Sequence, residues 1–398
     1  MNADAFTQLA SGARSVRVTL DKGTITLRAV PGEAWHLDWR SDDDEAPVVE
    51  RQDTLLSIRQ SGSEGFPTFR RLDVTLTVPS DLNTTTLETA AGTITAVGVS
   101  GRSRCESSNG SVTLREATGE AIVVSANGSV TVEGFEGQLD ARSGNGSVHV
   151  TDVRGGTTLA SGNGSVKVRD ADGKVRVTTG NGSVDLAYAG GEVEIDSSHG
   201  SIHIEAPRDL AVRATTAMGS IRVEGGRVRA LHLNSMMGGV TSDAVLAPGA
   251  YELETGMGTI SVELPPVVRA RIEAQTGFGR VKSEFPLVQV GRSGPMSIGG
   301  VRMVGSIGAG APEVELSLRA GKGDIIVRQG ADGPVSAHNS GHHHTPERGY
   351  ERDPQPAFAP ADGASTSASP PVASPMLTVL EALARGEITP TEAETLLG

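Results

Sequence analysis

The sequence predicts an all-β chain: a parallel β-solenoid (β-helix) of about twelve rungs with an 18–21-residue period, an N-terminal β cap, a disordered linker and a small C-terminal α-hairpin. Three observations carry this reading. The tetrapeptide Asn-Gly-Ser-Val occurs five times, beginning at Asn109, Asn127, Asn145, Asn163 and Asn181, with a step of 18 residues each time. Within a repeat, apolar β-branched residues alternate with polar ones, as in Val166-Lys167-Val168 and Val175-Arg176-Val177, the period-two pattern of a half-buried strand. Glycine is abundant, 51 of 398 residues, while aromatics make up only 3%; a thin coil is filled by small side chains and needs few aromatic anchors.

Residues 1–81 read as the cap, grading into the first rungs. Strand-like runs occur there off the repeat period: Val16–Leu20, Thr24–Leu27, Trp35–Trp39, Leu55–Ile58 and Leu72–Val78. Asp21-Lys22-Gly23 reads as a hairpin turn, and both tryptophans fall in this part. A stack of strands needs its open end covered, because a bare strand edge invites aggregation.

Residues 82–329 are the array. Ala91-Gly92-Thr93-Ile94 sits 18 residues before the first perfect copy. After Asn181 the motif drifts through His199-Gly200-Ser201-Ile202, Met218-Gly219-Ser220-Ile221, Met237-Gly238-Gly239-Val240, Met257-Gly258-Thr259-Ile260 and Phe278-Gly279-Arg280-Val281, as the step lengthens to 19, 20 and 21. Ile298-Gly299-Gly300-Val301 is expected to follow, and Lys322-Gly323-Asp324-Ile325 to close the series. Each repeat reads strand, turn, strand, turn, with Asp170-Ala171-Asp172-Gly173 and Gly180-Asn181-Gly182 as turn clusters. Inward pairs recur as Val112/Leu114, Val130/Val132, Val148/Val150 and Val184/Leu186, and on the second strand as Leu139/Ala141, Val175/Val177 and Val193/Ile195.

A meander of hairpins and a solenoid both fit these strands. The solenoid is preferred because the copies stay in phase without insertions. It places residue i above residue i+18, about 4.8 Å away. The asparagines then form a column able to hydrogen-bond amide to amide. Gly110, Gly128, Gly146, Gly164 and Gly182 beside them are expected to supply a positive φ at the corner. Outward charges alternate in sign along one column, Arg176, Glu194 and Arg213, which favours stacking modestly.

Residues 330–375 form the linker, dominated by Gly, Pro, Ser and Ala, with a short tract His342-His343-His344 to which no metal role is assigned. In residues 376–398, Leu377, Leu380 and Leu383 have helical spacing and Gly386 stops the run. Thr389, Pro390 and Glu392 then read as N-cap, N1 and N3 of a second helix that carries Leu396 and Leu397. Two such short helices bury too little to stand alone, so these leucines are candidates for docking on a partner, a second copy or the solenoid.

Rungs such as Ser161-Gly162-Asn163-Gly164-Ser165-Val166-Lys167-Val168 resemble the bacterial β-strand-repeat "putative adhesin" family, a domain family of unknown function. The run Leu383-Ala384-Arg385-Gly386-Glu387-Ile388-Thr389-Pro390-Thr391-Glu392-Ala393 is similar to the short SHOCT-like helical hairpins that often accompany it. The resemblance implies a parallel β-solenoid, envelope-associated or stress-linked roles for some members, and no catalytic residues. Against it stands the lack of an export signal.

A net charge of −13 without a basic block argues against nucleic acid as partner. A single cysteine, Cys105, allows neither an internal disulfide nor a cysteine-cluster metal site. Met1–Phe6 lacks a basic and apolar leader and no run approaches a membrane span, so the expected compartment is the cytoplasm. No catalytic, cofactor or metal residue is assigned. His199 and His203 lie on a strand with Gly200 between them, His149 and His203 are three rungs apart, and Asp42-Asp43-Asp44-Glu45 reads as a solvated loop. The Asn-Gly-Ser triplets match a glycosylation acceptor, but a turn accounts for them.

One column invites a sharper reading. The corner that is Asn in five rungs becomes His199, Met218, Met237, Met257 and Phe278. Facing outward, these residues would form an apolar stripe suited to adaptable docking; in wider rungs, the corner would turn inward instead. The functional reading is a non-enzymatic scaffold or interaction protein, with a protein or a second copy as partner. The alternatives are a bactofilin-like structural polymer and a carbohydrate-acting β-helix enzyme. The irregular cap argues against the polymer. Three Tyr and two Trp in the whole chain argue against the enzyme.

Overall fold

The computed structural model describes residues 3–330, apart from 33–34, 43–44, 62–69, 188–189, 206–208 and 291–299. The expected linker beyond Gly330, the His342–His344 tract and the hairpin with Leu377, Leu380, Leu383, Leu396 and Leu397 lie outside the described residues.

The repeats coil into a parallel β-solenoid. One inward file runs Val74, Ile25, Ile94, Val112, Val130, Val148, Val166, Val184, Ile202, Ile221, Val240, Ile260, Ile325 and Val281, each paired in parallel register with the next, so the stack has fourteen tiers. Two of these tiers come from residues 15–30 and 55–79, within the stretch read as a cap. The 14-residue strands Val112–Ser125, Val130–Ser143, Val148–Ser161 and Val166–Thr179 pair along nearly their whole length. Their inward residues Val112, Leu114, Val130, Val132, Val148, Val150, Val166 and Val168 are buried. Each packs on its own equivalent above and below, so small β-branched side chains suffice. Burying one such side chain is worth about 1.5–3 kcal/mol.

The glycines beside the asparagines have a different reason from the one expected. Gly110, Gly128, Gly146, Gly164 and Gly182 do not lie in the left-handed region. A Cβ on Gly146 would stand 2.2 Å from the carbonyl oxygen of Gly128 one tier earlier, and one on Gly128 would stand 2.2 Å from that of Gly110. The column is glycine because each corner rests on the backbone of its neighbour. Left-handed backbone lies elsewhere in these rungs, in the file Gly98, Glu116, Gly134, Asp152 and Asp170, at φ 74°, 52°, 65°, 52° and 52°, and in the file Gly119, Gly137, Gly155 and Gly173, at φ 107°, 133°, 120° and 127°.

Asp21-Lys22-Gly23 is a coil corner and not a hairpin. Ser15–Lys22 pairs in parallel with Leu55–Arg59 and Thr84–Ala91, while Ile25–Val30 pairs in parallel with Leu72–Pro79 and Ile94–Val97. The rung 15–30 therefore lies between the rung 55–79 and the rung 84–97. The other end repeats the arrangement. Val314–Lys322 pairs with both Gly249–Met257 and Ala270–Phe278, and Ile325–Gln329 pairs with both Ile260–Leu264 and Val281–Ser283. The rung at Lys322 is thus not the last of the series but is wedged between two earlier ones. Its inward residues, Val314, Leu316, Leu318, Ile325 and Val327, are apolar throughout and are buried between the two neighbours, whereas the rim rung, whose Ala270, Ile272 and Ala274 are also buried, carries Ser283 opposite Val327 and leaves Val281 and Ser283 half-buried.

Val301 does not begin another parallel rung. Val301–Ile307 runs antiparallel on Ala270–Phe278, and Val288–Gln289 runs antiparallel on Val301–Ile307. At the opposite end His36–Ser41 lies antiparallel on Leu72–Pro79, and Val48–Gln52 on Leu55–Arg59. A short helix, Ala3–Ala10, buries Phe6 and Ala10, and Thr7 Oγ1 donates to the Trp35 carbonyl at 2.9 Å. Each end of the stack is closed by chain running against the direction of the rungs.

The two kinds of corner respond differently to substitution. Gly146→Ala is expected to lower stability by about 3 kcal/mol, because the new methyl meets immovable backbone. Gly134→Asp is expected to stay within about 0.5 kcal/mol of the parent, since its file already holds Asp in the same left-handed region. Urea unfolding of both variants measures the difference.

Candidate interaction surface

Two files of side chains tie one corner of the first half of the stack. On the outside, Asn127 Nδ2 donates to Asn109 Oδ1 at 2.9 Å, and Asn145, Asn163 and Asn181 each donate to the asparagine before them at 2.7 Å. On the inside, hydroxyls bolt each turn to the one before. Ser143 Oγ donates to the Gly128 carbonyl and accepts from the Gly146 N–H, both at 2.8 Å. Ser125 and Ser161 repeat this geometry with Gly110 and Gly128 and with Gly146 and Gly164. The sequence reading missed this inner file, although Ser125, Ser143 and Ser161 recur at the same 18-residue step, followed by Thr179.

The amide ladder ends at His199, where the corner changes character. Register places His199 on Met218, Met218 on Met237 and Met237 on Met257. Met218, Met237 and Met257 are 40%, 42% and 50% exposed, and Phe278 is 62% exposed. The corner therefore faces outward despite its wider rungs: alternation alone would turn the residue two places after buried Thr216, Ser235, Thr255 and Thr276 inward, but it breaks where each strand ends at the glycine corner, and the side chain there stays exposed. The wedged rung interrupts the stripe, since Lys322 pairs with both Met257 and Phe278.

Beside the stripe runs a groove of about 500 Å³, lined by Gly256, Gly277 and Gly321, with exposed Met236 and with Glu254, Gln275 and Arg319 also at its walls. The next rows are charged and paired. Arg319 Nη1 reaches Glu252 at 2.8 Å and Glu254 at 3.0 Å, His232 reaches Glu252 at 3.1 Å, and Arg302 reaches Glu273 at 2.9 Å. Elsewhere on the outer faces Arg115 pairs with Glu133, Lys174 with Glu192 and Arg176 with Glu194 across single tiers. Arg213 makes no ion pair among the described residues. Exposed pairs of this kind are worth at most about 1 kcal/mol each, so they align tiers more than they stabilise them.

The remaining polar candidates do not converge. His203 contacts Glu224 at 3.0 Å and Asp185 at 3.7 Å on neighbouring tiers, away from the His199 corner file. Glu45 is taken by Arg70 at 2.7 Å, and Asp43 and Asp44 lie outside the described residues. Cys105 is wholly buried, and burial, with Glu106 nearby, pushes its thiol up to about 12. It is inert packing between Leu87 and Val123. Among the described residues no group of three or more His, Cys, Asp or Glu is placed to hold a metal ion, and no helix is long and apolar enough to cross a membrane.

The coil and its continuous outer files define a repeat protein of the β-solenoid class, whose surface is a set of columns. Residues 13–225 match the Toastrack DUF4097 family, and the chain belongs to that family. The match begins well inside the stretch read as a cap, consistent with rungs 15–30 and 55–79 being part of the same stack. No curated protein matches the chain. A solved structure described as a putative cell adhesion protein from Clostridium sporogenes ATCC 15579 is 11% identical, with 81% of this chain and 95% of that one covered and a TM-score of 0.18.

The Glu224 carboxyl offers a measurable link between tiers. Partial burial pushes it up, but hydrogen bonds and charge from His203 and Arg222 outweigh this and hold it below the usual glutamate range. A depressed folded value means that its contribution is present above the unfolded value of about 4.3 and is lost as pH falls through the folded one. Wild type should therefore lose more stability between pH 5 and pH 3 than Glu224→Gln. Urea midpoints at the two pH values are the readout.

Proposed function

We propose that this chain is a protein-interaction scaffold: a rigid stack that presents the apolar corner of its second half to a protein partner, with residues 376–398 as a separate docking element. The observation that carries the reading is the outward file Met218, Met237 and Met257, joined by Met236 and Phe278, all exposed on a frame whose backbone is fixed by pairing on both sides. Unbranched thioether side chains repack against varied shapes, and an exposed apolar stripe of this kind marks an interaction site more often than bare surface. The outer carboxylates Glu133, Glu192, Glu194 and Glu252 are engaged in ion pairs between tiers, which favours a scaffold over carbohydrate chemistry. The resemblance to the adhesin-like repeat family supports a role linked to the envelope or to stress, reached from the cytoplasm through the partner.

The polymer reading is weaker. End-to-end growth needs rungs that present parallel edges, whereas His36–Ser41 and Val48–Gln52 at one end and Val301–Ile307 at the other run antiparallel. Charged residues on those strands, among them Asp38, Arg40, Glu50, Arg51 and Arg302, discourage strand addition.

Replacement of Met218, Met237 and Met257 together by Ser tests the proposal. The side chains are exposed, so stability should change by no more than about 0.5 kcal/mol per site. Proteins captured by the intact chain should be lost with the triple variant. Capture that persists unchanged would remove the corner from the reading. A chain ending at residue 375 tests the tail in the same assay, and sedimentation at micromolar concentration should show no filaments.

A further inference from the structure

Four of the eight methionines in the chain, Met218, Met236, Met237 and Met257, stand on this one corner, and all four are exposed. Where the fold needs only apolar bulk it uses Val, Ile and Leu, as the inward files show. What the corner residues share is the thioether. Met218, Met237 and Met257 occupy one file on three consecutive tiers. His199 holds the same position on the tier before them, and its ring makes no hydrogen bond or ion pair among the described residues. Lys322 holds that position on the tier after.

The spacing suits a shared ion. Equivalent residues on neighbouring tiers are about 4.8 Å apart at the backbone. Two sulfurs bound to one metal at about 2.3 Å in a trigonal arrangement stand about 4 Å apart, a gap that the flexible methionine side chain closes without backbone movement. The donors are soft and uncharged. Thioethers select Cu⁺ over the hard cations that carboxylates and carbonyls prefer, and no carboxylate shares the file from His199 to Phe278. The Lys322 ammonium repels a cation at its end, which leaves the His199 end as the open one.

We infer that Met218, Met237 and Met257, on three consecutive tiers, form a binding site for a soft monovalent metal ion, Cu⁺ or its redox-inert analogue Ag⁺. The inference goes beyond the docking reading and does not rest on it. Binding exchanges water on the ion for sulfur and involves no electron transfer.

The test uses the full chain with His342, His343 and His344 replaced by Ala, which removes a competing donor tract. Ag⁺ is titrated in chloride-free buffer and followed by native mass spectrometry, calorimetry and the methionine-methyl resonances. One bound ion is expected, with shifts confined to the methyls of Met218, Met237 and Met257. In the same background, Met218→Leu, Met237→Leu and Met257→Leu together should weaken binding by about tenfold or more, with an unchanged thermal midpoint without metal. Binding weakened by less than that, or no bound ion in the parent, overturns the inference. Leucine keeps the apolar bulk that docking needs and serine does not, so failure of the metal site and failure of the docking corner are read separately.

Discussion

The whole stack depends on how closely one tier can lie on the next at its glycine corner. Gly92, Gly110, Gly128, Gly146, Gly164 and Gly182 each present a bare Cα to the carbonyl of the tier before, at distances where a methyl would overlap it. That approach sets the register. With the register fixed, Asn meets Asn, Val meets Val and Ser reaches the carbonyl of the neighbouring turn. None of these contacts is strong alone, since a hydrogen bond contributes about 1 kcal/mol net. Their value is that they repeat at every tier, so a shift that broke one would break all.

Much of this was legible in the chain before any coordinates. The unbroken 18-residue step required equivalent residues to lie over one another, and period-two alternation gave the inward and outward faces. The outward direction of the Met file was not decidable from spacing alone, because a wider rung leaves the corner free to turn either way. The role of the corner glycines was misread for a related reason: sequence shows that a side chain is absent, but not whether dihedral or contact excludes it. The helix Ala3–Ala10, with Phe6 and Ala10 spaced to face one way, was hidden by its shortness.

The order of tiers at the two ends was not legible at all. Periodicity says that Lys322-Gly323-Asp324-Ile325 belongs to the array but not beside which rung it lies. The deciding quantity is how completely each rung is apolar on its inner face. Residues 314–329 are better suited to two neighbours than Val281–Ser283, which sits at the rim. The same rung then places Lys322 between Met257 and Phe278, so a topological choice at one end of the stack sets the chemistry of the exposed corner.

Interleaving has a mechanical consequence. Residues 15–30 and 314–329 are each gripped on both flanks by parallel neighbours. A force drawn along the chain from either segment would have to slide a strand lengthwise past two others, rupturing many backbone hydrogen bonds together instead of one after another. The molecule is latched one tier inside each tip, as a rod is held by a crosspin, and would resist extension more stiffly than a coil whose outermost turns can peel away.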